Sequence, residues 1–188
     1  MKAKRTFPPL LVFLVFVVSL MVILSSCNSG TITSQSQTTT ISSEQAYRVK
    51  IEAVIDRFYN HRTDYNAEVE RLGAQFSSAT TETKQRMIIQ QLIEHLEDAQ
   101  EWFRQDRDDF AVILPPAKFR DAHLLINSVL NDYVGATTSF ITYYSMNLSS
   151  GTRDLQTANR ASALLRTANE NLQRAAYMYA SLFGQGEE

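Results

Sequence analysis

The chain has 188 residues, 18 Lys and Arg against 20 Asp and Glu for a net charge of −2, and one cysteine. That balance excludes a cationic surface of the kind that holds nucleic acid, whose phosphates need clustered Lys and Arg. A lone cysteine excludes a disulfide framework or a thiolate metal site within a monomer, so stability must come from packing.

Residues 1–26 have the form of a secretory leader. Lys2, Lys4 and Arg5 make a basic start, and Leu10 to Leu24 form an apolar run broken only by Ser19. As a helix the run spans about 22 Å, short of the roughly 30 Å hydrocarbon core, which argues against a permanent span. It closes on Leu24-Ser25-Ser26-Cys27, with leucine three residues before the cysteine and small serines between. This resembles the lipobox of bacterial lipoprotein precursors. The resemblance is confined to the leader and implies cleavage between Ser26 and Cys27, a covalent diacylglyceryl lipid on Cys27, and a place at the cell membrane, lipid-anchored on the extracytoplasmic side. Two acyl chains suffice for stable anchoring, so the folded part need not touch the bilayer to stay there. Loss of residues 1–26 removes three basic residues and leaves fifteen against twenty acidic ones, a net charge of −5.

Residues 27–43 join the lipidated cysteine to the rest. From Asn28 to Ser43 the chain is almost all Ser, Thr, Gln and Asn, with only Ile32 and Ile41 apolar. Such a stretch cannot bury enough surface to offset its ordering entropy and reads as a flexible tether.

From residue 44 to 185 the apolar period is helical. Tyr47, Ile51, Val54, Phe58, Tyr65, Val69, Leu72 and Phe76 recur in steps of three, four or seven and make the stripe of a first helix, 44–77, opened by a capping box at Ser42-x-x-Gln45. Ile88, Leu92, Leu96, Ala99, Phe103, Phe110 and Ile113 define a second, 81–113, which Pro115-Pro116 must end. Phe119, Ile126, Leu130, Tyr133, Phe140, Tyr144 and Leu148 define a third, 116–149. Ser150-Gly151-Thr152 supplies a left-handed stop and a capping hydroxyl for a fourth, 152–183, whose stripe runs Leu155, Ala158, Leu165, Ala168, Leu172, Ala175, Tyr179 and Leu182. Gly73 and the small run Gly135 to Ser139 allow helices to approach closely. Short turns make each helix antiparallel to the last, so the expected fold is all-α, an up-down-up-down four-helix bundle about 45–50 Å long. The second choice is a helical hairpin that completes its core by dimerising.

Three polar residues fall on these stripes: His61, Asp106 and His123. Folding the chain at Pro115 and at Ser150 puts His123, Asp106 and Tyr177 or Tyr179 in one layer near the Pro115 end. In one reading His123 and Asp106 satisfy each other as a buried pair that fixes register, because an unpartnered polar group there is costly. In the other, the layer lines a small pocket for a ligand or metal, with the imidazole titrating. His95 sits beside Glu94 and Glu97 on a solvated face, and His61 lies too far from His123 to join it. The di-iron Glu-x-x-His pattern, Cys-x-x-Cys-His, His-Glu-x-x-His, Gly-x-Ser-x-Gly and the phosphate-loop pattern are all missing from the sequence. No catalytic residue, metal site or cofactor beyond the Cys27 lipid is therefore expected.

The lipobox, the Ser/Thr tether and a helical domain containing Leu114-Pro115-Pro116 and His123 together look like bacterial envelope lipoproteins with small helical-bundle domains. That likeness implies a compartment and an architecture. The expected function is non-enzymatic contact with an envelope protein or self-association into a homo-oligomer, with the charged second helix as first contact face. The alternative is a small-ligand or metal-binding sensor using the His123 layer.

Overall fold

The structure, a computed structural model, describes residues 43–184. The leader, the lipobox, Cys27 and the tether as far as residue 42 lie outside the described residues, as does Ser42 of the expected capping box; Ser43, expected to end the tether, is already helical. Four long helices, α1 (Ser43–Ser78), α2 (Glu82–Ala111), α3 (Arg120–Ser150) and α4 (Leu155–Gly184), form the up-down-up-down antiparallel bundle, and no strand occurs among the described residues. None of these helices is long and apolar enough to cross a membrane.

The boundaries follow local chemistry. Thr81 caps α2 by accepting from the Lys84 amide at 3.3 Å. Pro115 and Pro116 stop α2 early: the helix ends at Ala111, and a single 3-10 turn, Ala117–Phe119, intervenes before α3. Gly151, at φ 69°, takes the left-handed position that terminates α3. The cap of α4 differs from the expected Ser/Thr hydroxyl. Asp154 Oδ1 accepts from the Gln156 and Thr157 amides at 3.1 and 3.2 Å, and α4 starts three residues later than the apolar pattern suggests. A carboxylate both accepts hydrogen bonds and complements the positive end of the helix dipole, so aspartate is the stronger cap here.

The apolar stripes meet in one continuous core. Nearly every stripe residue is buried or half-buried; Leu155 is the exception at 53% exposed, because α4 has only begun there. Helices α3 and α4 make the closest seam, and the reason is side-chain size. Ala158, Ala161, Ala168 and Ala175 are all buried on α4, and a Cβ on Gly135 of α3 would stand 3.2 Å from Leu164 Cδ1. Between α1 and α4 the backbones stay farther apart, and large side chains span the gap. Val54, Ile55, Phe58, Ile126, Val129 and Leu172 line an apolar crevice there that is too tight to admit water.

Candidate functional site

The expected single polar layer is two clusters. Gln100 of α2 donates to Thr138 of α3 at 2.6 Å, and Arg86 reaches the Leu148 carbonyl at 2.9 Å. The His123 ring lies against Phe110, one helical turn beyond Asp106. The linker after Ala111 consumes more chain than a minimal turn, and the shift separates the imidazole from the carboxylate. No His123–Asp106 pair forms.

Asp106 is 0% exposed and is claimed by α1 instead. Arg57 Nε donates to its Oδ1 at 2.6 Å, and His61 Nδ1 lies 2.8 Å from its Oδ2. Arg57 Nη2 also donates to Asp109 at 2.7 Å. The bond to Asp106 holds the Arg57 guanidinium still more firmly in its charged form. Arg57 and His61 are one turn apart on α1, and Asp106 and Asp109 nearly one turn apart on α2, so the four groups interlock as two i,i+3/i+4 pairs. Around them His61 stacks on Trp102 at 5.4 Å, Trp102 meets the His95 ring edge-on at 6.0 Å, and His95 lies parallel to Tyr65 at 6.1 Å. His95 is thus half-buried against aromatics, contrary to the solvated face its acidic neighbours suggested.

The second cluster holds His123. Its ring stacks on Phe110 with centroids 4.2 Å apart, and Nδ1 is 3.1 Å from the Tyr47 hydroxyl, which in turn is 2.7 Å from that of Tyr179. Burial pushes the His123 pKa down and so favours the neutral ring. With the proton on Nε2, Nδ1 accepts from Tyr47 and Tyr47 accepts from Tyr179. Burial raises both phenols above the ordinary tyrosine value, so both keep their protons for these bonds. Tyr179 therefore belongs to the layer, whereas Tyr177 is 74% exposed. Residues two apart on a helix point about 200° away from each other, so only one of the two tyrosines faces inward.

Chemically both clusters are self-satisfying. Each Asp106 oxygen takes a hydrogen bond from the protein, and the His123 chain ends on another protein hydroxyl. Among the described residues no group of three or more His, Cys, Asp and Glu is arranged to hold a metal ion. Tyr47 and Arg57 were not singled out from the sequence. Tyr47 looked like any stripe aromatic, and Arg57 sits beside the stripe; only its i,i+4 spacing to His61, facing an acidic pair on α2, hints at the clamp. Asp132 on α3 is a third polar feature: its Oδ2 has no hydrogen-bond partner among the described residues, and burial raises its pKa.

No family model matches the sequence, and neither a curated protein nor a solved structure matches it.

Proposed function

We propose that the protein is a lipid-anchored, extracytoplasmic helical bundle of the bacterial envelope that works by contact, with another envelope protein or with its own copies, and not by catalysis. The observation that carries the reading is the setting of Cys27: a basic start, an apolar run too short to span, and Leu24-Ser25-Ser26 immediately before the cysteine. The interior is in keeping with a contact role. Its buried carboxylate and imidazole are engaged with protein groups across helix seams, an arrangement suited to holding a rigid shape.

Intact-mass measurement of the protein extracted from its host membrane tests the anchor. The expected product begins at Cys27 and carries a diacylglyceryl group; a retained leader or an unmodified Cys27 overturns it. Crosslinking in the same membrane tests the contact role, with a homo-oligomer ladder or a discrete heterologous adduct expected. Monomer alone overturns that half of the reading.

A further inference from the structure

We propose that the end of the bundle from which the tether departs rests on the lipid surface, with the turn between α2 and α3 as its point of contact. The proposal builds on the lipid-anchor reading of Cys27. Three chain segments share that end. Glu44, one residue into α1, pairs with Lys118 at 2.6 Å. Phe119 packs on Tyr47 at 5.2 Å and on Phe183, near the end of α4, at 4.6 Å. The start of α1, the α2–α3 turn and the end of α4 therefore form one pole.

The turn at this pole is built to present apolar side chains outward. Ile113 is buried and pins the segment to the core, while its neighbours Val112 and Leu114 are 79% and 87% exposed. Pro115 and Pro116 follow and stiffen the turn, which lowers the entropy lost on contact. Farther along the flanks, Val49 on α1, Leu124 on α3 and Tyr177 on α4 are also exposed. At 1.5 Å per residue Val49 and Tyr177 stand about 9 and 10.5 Å from the helix ends at this pole, at the deep edge of the 5–10 Å to which interfacial elements sink among head groups. Tyrosine, apolar along its ring and polar at its tip, suits that depth.

Geometry brings this pole to the bilayer. The chain from Cys27 enters α1 at Ser43, at the same end, and the fifteen residues between have a random-coil root-mean-square reach of roughly 19–23 Å. With Cys27 lipidated, as proposed, fifteen residues hold this pole within about 50 Å of the surface even at full extension, nearer than any other part of the bundle is held. The neighbouring charges oppose one another, Arg48, Lys50, Lys118 and Arg120 against Glu44, Asp108, Asp109 and Asp121, so the contact is apolar in character.

The test uses the full-length lipoprotein in vesicles of phosphatidylethanolamine and phosphatidylglycerol. With the Cys27 sulfur occupied by lipid, Leu114→Cys introduces the one free thiol, and Leu155→Cys does the same at the opposite pole. Each carries an environment-sensitive fluorophore. The expected result is a blue-shifted emission from position 114, with severalfold greater loss of intensity to nitroxide-bearing lipids than position 155 shows. A lipidated protein whose 114 label remains as wet as its 155 label overturns the pole contact, and so does preferential quenching at 155. A 114 label that is wet in vesicles but shielded in the native membrane assigns the turn to a protein partner and overturns the lipid assignment. A mass that shows no lipid on Cys27 overturns the anchor reading itself, so the two failures are distinct.

Discussion

Arg57 Nε meets Asp106 Oδ1 at 2.6 Å across the α1–α2 seam, with 35% of the arginine side chain exposed and none of the aspartate. The pair is lopsided: one charge can fall back on water, and the other cannot. That asymmetry sets the first prediction. Arg57→Ala strands a buried carboxylate with His61 as its remaining partner and should cost about 3 kcal/mol. Asp106→Asn keeps an acceptor for Arg57 and leaves that cation partly hydrated, so it should cost about 1 kcal/mol. Urea unfolding at neutral pH measures both, and equal losses would sink the assignment.

The hydroxyl of Tyr47 serves both His123 and Tyr179. Tyr47→Phe breaks two buried hydrogen bonds and Tyr179→Phe only one. We expect Tyr47→Phe to lower stability by about 2 kcal/mol and Tyr179→Phe by about half as much. His123→Ala removes the ring stacked on Phe110 and should cost about 2–4 kcal/mol. Under the register role added zinc shifts the melting temperature of neither wild type nor His123→Ala. A zinc-induced rise in wild type that His123→Ala abolishes would favour the sensor alternative.

His123 also sets a pH dependence. Its pKa in the folded protein lies below the ordinary histidine value because burial disfavours the charged ring. The unfolded chain therefore binds the extra proton first, as pH falls below about 6.5. Stability attributable to His123 is fully present above that pH and declines as pH drops toward the lower folded-state value. The melting temperature should fall between pH 7 and pH 5 more steeply in wild type than in His123→Gln. Identical slopes would remove His123 as the cause.

Two glycines separate space from conformation. Gly135 is helical, and an added Cβ meets the movable end of Leu164 at 3.2 Å. Because that methyl can yield, Gly135→Ala should gain about 0.5 kcal/mol of helix propensity. Gly151 has open space around it but φ of 69°, so Gly151→Ala should lose about 1 kcal/mol. Thermal melts of the two variants should move in opposite directions; a drop for Gly135→Ala would mean that α3 and α4 cannot part even by a few tenths of an ångström.

The helices and the core faces were legible in the sequence, since an apolar period of 3.6 can be buried only by a helix turning one side inward, and Pro115, Pro116 and Gly151 dictate where the backbone must stop. His123, Asp106 and Tyr179 were likewise recognisable as polar groups on buried stripes. Their partners were not. Which neighbour a buried group meets depends on axial register and on rotation about the helix axis, and the period along one helix fixes neither. The chain consumed between Ala111 and Arg120 moved His123 a full turn from Asp106. Only the packed bundle gave Asp106 to Arg57 and His61, His123 to Tyr47, and the outward-facing Val112 and Leu114 to the end where the tether begins, because those choices are made by side chains from four separate segments competing for the same interior.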